Sequence, residues 1–163
     1  MKFRDATLAD LPAIVDIYNS VIPSRKVTAD TELISIADRQ HWFSTHTPLR
    51  PLWIVETEDD HLIGWVSFQD FYGRPAYKST AEISIYLAST QRRKGYGKMI
   101  LDYCTASVTS LGIKTLLGFI FSHNLESIML FEAAGFQSWA LLPNIAELDG
   151  IERSLQIFGK RIT

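Results

Sequence analysis

The chain has 163 residues, 47% hydrophobic and 21% charged, with a net charge of -2. That length suits a single domain, residues 1–163, with a core large enough to need no covalent staple. The mildly acidic balance argues against general nucleic-acid binding. One cysteine, Cys104, excludes an intrachain disulfide framework and a cysteine-rich metal site. No run approaches the length of a membrane span, and the charged start MKFRDATLAD lacks the apolar core of a signal peptide. The expectation is a soluble cytoplasmic protein with no membrane partner.

Lys2 to Ala6 reads as a short first strand. Thr7 and Asp10 form a capping box for a first helix, whose buried face is marked by Leu11, Ile14, Val15 and Tyr18. Pro12 falls in the first turns, where its missing N–H matters least. Asn19 to Ile34 is a long irregular segment carrying Pro23, Arg25 and Lys26, and loops of that length are usually functional or disordered. Ser35 and Asp38 cap a second helix with Trp42 and Phe43 on its apolar side. Leu52 to Thr57 and Leu62 to Gln69 predict a hairpin around the acidic turn Glu58-Asp59-Asp60-His61. Gly64 within it marks a bulge or a close contact. Asp70 to Thr80 is a polar-aromatic loop.

The stretch from Ala81 to Leu101, AEISIYLASTQRRKGYGKMIL, organises the chain. Ala81 to Ala88 predicts a strand buried on both faces. A basic loop with two glycines follows, then a helix with Met99, Ile100, Tyr103 and Cys104 at helical spacing. Glycines before a helix let the backbone approach a ligand, and the first helical N–H groups lack intrahelical partners. Arg92, Arg93, Lys94 and Lys98 add charge suited to an anion. The spacing is neither GxxxxGK[ST] nor GxGxxG, because Ile100 stands where the third glycine belongs. What remains is R-x-x-G-x-G, which a solvated basic turn would also satisfy. Further on, Gly112 stops the helix and Leu116 to Phe121 predicts another buried strand. Asn124 to Ala134 is helical with Ile128, Leu130 and Phe131 apolar and Gly135 as cap. Phe136 to Leu142 and Ile151 to Phe158 are strands around Asp149-Gly150. No repeat, linker or low-complexity tract interrupts the domain.

Two motifs carry a resemblance. Arg92-Arg93-Lys94-Gly95-Tyr96-Gly97 resembles the coenzyme A pyrophosphate loop of the GNAT superfamily of N-acetyltransferases. The run from Asn124 through Ser127, Leu130 and Phe131 to Gly135-Phe136 resembles that superfamily's second hallmark, N-x-x-[SA]-x-x-[LF]-[YF]-x-x-x-G-F. A third stretch, Arg74-Pro75-Ala76-Tyr77 followed by Thr80-Ala81-Glu82-Ile83-Ser84-Ile85-Tyr86-Leu87, looks like the signature of the phosphinothricin and L-amino-acid N-acetyltransferase branch. Ile17-Tyr18-Asn19 and Thr31-Glu32 also match it. The resemblance implies an α+β fold of mixed layers: a central, mostly antiparallel sheet splayed between its fourth and fifth strands and flanked by helices. It implies acetyl-CoA as cosubstrate, no metal, a small-molecule amine as acceptor, no nucleic acid, and room for a homodimer.

The same resemblance assigns residues. Main-chain groups of Ile85, Tyr86 and Leu87 would pair with the coenzyme arm. Arg92, Arg93, Lys94, Gly95, Tyr96, Gly97 and Lys98 would hold its pyrophosphate, and Asn124 and Ser127 its pantetheine. Glu82 is the branch's candidate base, an acidic residue inside an otherwise apolar strand. A structural glutamate satisfied by a neighbouring arginine is the alternative. Arg74 could grip a carboxylate or phosphinate bidentately, and Tyr77 would wall the pocket. Many family members place a tyrosine acid where this chain has Phe131, which cannot donate a proton. Tyr86, Tyr96 or a water are left for that role. Arg25 and Lys26 depart from the branch and fit either the pocket or solvated surface. His41, His46, His61 and His123 show no metal spacing, and the four tryptophans read as core. The reading from another class is a non-catalytic acyl-CoA sensor.

Overall fold

The computed structural model describes residues 1–162. β1 (Lys2–Asp5) leads into α1 (Leu11–Asn19) and α2 (Ile36–Ser44), followed by β2 (Leu52–Glu56), β3 (Leu62–Asp70) and β4 (Thr80–Leu87). α3 (Tyr96–Ser107), β5 (Thr115–Phe121), α4 (Leu125–Ala133), β6 (Gln137–Leu148) and β7 (Ile151–Arg161) complete the chain. All seven strands join one sheet in the order β1-β2-β3-β4-β5-β7-β6. Every neighbouring pair is antiparallel except β4 with β5. The fold is the mixed, mostly antiparallel α+β sheet that the resemblance implied.

Local chemistry explains the elements. The Asp10 carboxylate accepts the Thr7 N–H at 2.7 Å and the Thr7 hydroxyl at 3.0 Å, fixing the approach to α1. α1 buries Leu11, Ile14, Val15 and Tyr18, the face its spacing predicts. At α2 the box closes in both directions: Asp38 N–H donates to Ser35 Oγ at 3.1 Å, and Ser35 N–H to the Asp38 carboxylate at 2.8 Å. Trp42 of α2 is only half-buried and lies against Trp65, ring centroids 5.5 Å apart. An ideal Cβ on Gly64 would stand 2.2 Å from the Tyr86 carbonyl oxygen, and the β2–β3 register shifts beside it. Gly64 therefore marks both the bulge and the close contact. Asp149 and Gly150 both take positive φ, 53° and 77°, as a two-residue hairpin turn demands.

Two cores lie on opposite faces. α3 and α4 cover one through Ile100, Leu101, Cys104 and Phe131. α1 and α2 cover the other, over β2 to β4, through Ile14, Tyr18, Ile54 and Trp65. Two expectations need correction here. On α3 the buried stripe is Gly97, Ile100, Leu101 and Cys104, whereas Met99 and Tyr103 are about half exposed. The sheet meets α3 one position round from the predicted face, and the Tyr103 ring stacks on Phe3 at 3.8 Å instead. On β4 only Ala81 and Ile83 are buried, and Ser84 to Leu87 are half-exposed. The strand is not covered on both faces because its partner leaves it.

Candidate active site

That departure is visible in the ladders. β4 pairs with β5 only at Thr80–Thr115, Ala81–Leu116 and Glu82–Leu117. Beyond that point β4 continues with β3 to Leu87, and β5 continues with β7 to Phe121. The two strands part after Glu82, and the gap widens towards both C-terminal ends.

Ladder phase says which groups line the gap. Antiparallel residues alternate between hydrogen-bonded and non-bonded pairs. Ala88 N–H donates to Ile63 at 2.9 Å, and Phe71 N–H to Thr80 at 3.4 Å. In that phase Tyr86, Ser84 and Glu82 bond to β3, and Ile83, Ile85 and Leu87 turn their main-chain groups towards the gap. Ser122 N–H to Ser154 and Ile162 N–H to Lys114, both 2.9 Å, phase the other bank and turn Phe119 towards it. The Leu87 carbonyl is taken by Arg92 Nε at 3.2 Å. Ile85 and Phe119 thus face the gap with both main-chain groups, and Leu87 with its N–H. Main-chain groups in such a place need a partner, and a ligand with amides along its length supplies one. Tyr86 spends its backbone on β3 and contributes its ring, stacked on Trp65 at 4.5 Å.

Between the banks lies a cleft of roughly 60 Å³, lined by Ile85, Tyr86, Phe119, Asn124, Ser127 and Phe131 among others. Asn124 is buried, and its Oδ1 accepts the Ser127 N–H at 3.2 Å to cap α4. Its Nδ2 has no partner among the described residues and is free to donate. A larger hollow, roughly 210 Å³ between Asp5, Phe43, His46 and Pro51, shares no residue with this cleft.

The basic loop joins the end of β4 to α3. Gly95 caps the helix with φ 82°, and Met99 N–H is the first to bond within it, to the Gly95 carbonyl at 3.3 Å. The N–H groups of Tyr96, Gly97 and Lys98 are left for an anion. The cations differ in use. Arg92 bonds Leu87 and, at 2.8 Å, the Ser20 hydroxyl, so it positions the loop. Lys94 reaches Gln91 at 3.1 Å and Lys98 reaches Asp102 at 2.6 Å. Arg93 is exposed, with only a loose 3.9 Å approach to Glu126. Gly97 serves packing as well, since an ideal Cβ would meet Leu130 of α4 at 3.0 Å. The two glycines should therefore separate. Gly95→Ala has open space around it and meets only left-handed strain of about 1–2 kcal/mol, so it should stay folded with weaker coenzyme binding. Gly97→Val should also lower the melting temperature. Calorimetric titration with coenzyme A and thermal melts check both, and wild-type affinity in Gly95→Ala would remove the loop from the site.

Glu82 sits on the last rung before the gap. It is half-buried, and burial alone pushes its carboxyl above the usual range. The arginine that a structural glutamate would need is absent among the described residues. Tyr77 packs edge-on against Phe71 at 5.4 Å, and Phe71 reaches Phe119 at 6.4 Å, so the 71–79 loop borders the β5 bank. Arg74 is exposed and has no bonded partner among the described residues. Sequence reasoning passed over Arg50, which is buried and bonds Asp70 at 2.7 Å and the Lys78 carbonyl at 2.6 Å. It ties down both ends of the loop carrying Arg74 and Tyr77. Phe119 was also passed over, because its exposure depends on where β4 and β5 part.

The irregular segment closes the other side. Arg25 Nε bonds Asp149 at the hairpin tip at 2.8 Å, and its Nη1 bonds the Thr31 carbonyl at 2.8 Å. It staples the segment down and leaves no free charge for the pocket, while Lys26 is exposed and Val27 lines the cleft. Tyr18 hydrogen-bonds Thr28 and Asp30 beneath the Arg39 guanidinium, and its ring lies 5.2 Å from Tyr86. Burial pushes the Tyr86 phenol well above its ordinary value. Tyr96 packs into the α3–α4 core. Among the described residues no three His, Cys, Asp or Glu side chains gather as a metal site, and no helix is long and apolar enough to cross a membrane.

Residues 1–137 match the family model for the acetyltransferase (GNAT) domain. The chain is 48% identical over 163 residues to YwnH of Bacillus subtilis, a provisional phosphinothricin acetyltransferase, covering 100% of both. It is 28% identical over 150 residues to an L-methionine sulfoximine/L-methionine sulfone acetyltransferase of Pseudomonas aeruginosa, covering 91% of this chain and 87% of that one. A phosphinothricin acetyltransferase from Sinorhizobium meliloti, solved in complex with AcCoA, superposes with a TM-score of 0.90 at 29% identity, covering 99% of this chain and 88% of that one.

Proposed function

Because the chain belongs to the GNAT acetyltransferase family, we propose that it moves the acetyl group of acetyl-CoA to the amine of a small amino acid or analogue of the phosphinothricin, methionine sulfone or methionine sulfoximine kind. The observation that carries this reading is Glu82, half-buried and without a counter-ion, on the rung where the strands part. Close by, Ile85 and Phe119 hold main-chain groups towards the gap. Acetyl-CoA supplies the activated acyl group, and this chain's residues bind it, orient it and manage protons.

The roles follow from position. Ile85, Leu87 and Phe119 pair with the pantetheine amides, and Asn124 donates from Nδ2. The free N–H groups of Tyr96, Gly97 and Lys98, rimmed by Arg93, Lys94 and Lys98, hold the pyrophosphate. Arg92 keeps their loop in place. Glu82 takes the amine proton. An α-amine holds its proton to about pH 8, and a carboxyl at its ordinary value would lose that exchange by roughly 5 kcal/mol. The raised carboxyl of Glu82 narrows the gap. Phe131 cannot donate to the leaving thiolate, and Tyr86 is the phenol that lines the cleft. One well-aimed main-chain N–H towards the thioester oxygen contributes roughly 2.7–4 kcal/mol.

Arg74, unpaired on the loop that Arg50 anchors, holds the acceptor's acid group beside Tyr77. A non-catalytic acyl-CoA sensor would not require a desolvated carboxyl at the fork. The same proposal takes the enzyme as cytoplasmic, supported by a lone, free and buried Cys104. A homodimer is supported by Leu141, Ile145 and Ile151, apolar and exposed on the edge hairpin. The test is thiol release from acetyl-CoA across amino acids, their sulfone, sulfoximine and phosphinate analogues, amino-acid amides and polyamines. Free acids should react and polyamines should not. Arg74→Ala should raise KM strongly for free acids and little for amides. Equal turnover of amides or polyamines by the unaltered enzyme would overturn the small-acid acceptor.

A further inference from the structure

The β6–β7 hairpin carries a guanidinium that the roles above leave unused. Arg153 of β7 sits opposite Ala146 of β6, and its half-buried side chain makes no hydrogen bond or ion pair among the described residues. Its Nε is fully buried without a partner. His123, in the turn after β5, is in the same state. Its Nε2 donates to the Arg25 carbonyl at 2.7 Å, and its Nδ1 is buried without a partner among the described residues.

The two positions lie at the same level of the sheet. The Ser122 N–H bond to Ser154 phases the end of the β5–β7 ladder and sets position 153 level with 123. Alternation along β7 turns Arg153 to the face of Leu155 and Ile157, which stand opposite Phe121 and Phe119. That is the face of Glu82, since Leu117 shares the alternation of Phe119 and pairs with Glu82. The hairpin's other acids do not neutralise Arg153. Glu147 and Glu152 pair with each other and, by alternation, point to the opposite face, while Asp149 is bound to Arg25. Only Nε is withdrawn from water, and the terminal nitrogens, without a counter-charge, remain donors seeking acceptors.

We propose that Arg153 holds a second oxyanion of the acceptor: a phosphinate, sulfonyl or carboxylate group at the end of its side chain. This rests on the amino-acid acceptor reading and deepens it. Arg74 takes the α-carboxylate, and Arg153 reads the far end. Continuing the Glu82–Leu117 offset brings Ile85 level with Ile120, three residues or about 10 Å along the strand before position 123, on the far bank of the gap. An acceptor reacting near Ile85 projects its side chain along the strands, beneath the Arg25–Val27 segment, towards the hairpin. Two parallel N–H donors on one planar group suit an oxyanion and offer nothing to an aliphatic chain.

The experiment compares kcat/KM for two acceptors of equal length, one ending in a phosphinate and one in a methyl group, in the wild type, Arg153→Met and Arg153→Lys. The wild type should prefer the phosphinate. Arg153→Met should lose on the order of 10- to 100-fold on that acceptor and stay within about 2-fold on the aliphatic one, with Arg153→Lys between. A parallel fall on both acceptors marks Arg153 as structural and overturns the proposal, as does an unchanged preference in Arg153→Met. A wild type that acetylates both acceptors equally overturns only the hook. One that acetylates neither overturns the amino-acid acceptor itself, and the hook with it.

Discussion

Glu82→Gln is expected to lower turnover by roughly 10²- to 10⁴-fold while leaving the protein at neutral pH at least as stable as the wild type. The amide is nearly isosteric and cannot accept the amine proton. Burial raises the carboxyl of Glu82, so the folded state prefers its protonated form more strongly than the unfolded chain does. The contribution to stability is therefore fully present below the ordinary carboxyl range and is lost as pH rises through the raised value. Above that value the wild type carries a charge in a poorly solvated place with no counter-ion. The substitution removes this burden, so its relative stability should improve from acid to neutral pH. Turnover of the wild type should climb as the same group ionises, and the variant should lack that limb. Thermal melts and pH–rate profiles with one good acceptor read both. Wild-type turnover in Glu82→Gln would move the base elsewhere, and a lower melting temperature at neutral pH would make Glu82 a structural residue.

The chain's local signals were strong where a side chain acts on its own neighbours. The Ser35–Asp38 box, the apolar face of α1 and the Asp149-Gly150 turn are all written within a few residues, and the structure has them. The glycines of the basic loop were legible as well, although Gly97 also answers to Leu130, thirty-three positions on, which no local pattern reports. Signals failed where a residue's meaning depends on a partner strand. β4 looked fully buried because its residues are mostly apolar, whereas exposure beyond Ile83 follows from β5 parting from β4 after Glu82. Tyr86 and Ile85 are adjacent in sequence, yet ladder phase gives one a ring in the cleft and the other its main chain. Arginines were the least legible of all. Arg50, Arg92 and Arg25 became anchors because Asp70, Leu87 and Asp149 happen to lie within reach, while Arg153 was left without one. The acceptor end of the site is drawn by such pairings, so it emerges only with the fold.

A wedge at Gly118 should disable the cleft from beneath. Gly118 is buried on β5, and an ideal Cβ there would lie 2.3 Å from Cε1 of Phe131 and 3.0 Å from its Cδ1 and Cζ. No real Cβ survives such contacts, so the ring must move. On one side Phe136 holds it edge-on, centroids 4.8 Å apart; on the other lies the cleft that Phe131 itself lines. The cleft is narrow, and a displaced ring would enter the space that pantetheine needs. Gly118→Ala should therefore cost about 1–3 kcal/mol through overpacking, a fall of roughly 2–12 °C in melting temperature. It should also weaken coenzyme A binding, an effect that simple destabilisation of a protein still folded at 25 °C would not produce. Shortening the ring separates the two causes. Gly118→Ala with Phe131→Leu should recover affinity, because leucine lacks Cε1, the atom that Cβ meets most closely, and Cζ, and the coupling between the two changes should be favourable. Titration calorimetry with coenzyme A on the single and double variants gives the answer. If Gly118→Ala binds as the wild type does, or if the double variant binds no better than the single one, the ring of Phe131 does not set the floor of the cleft.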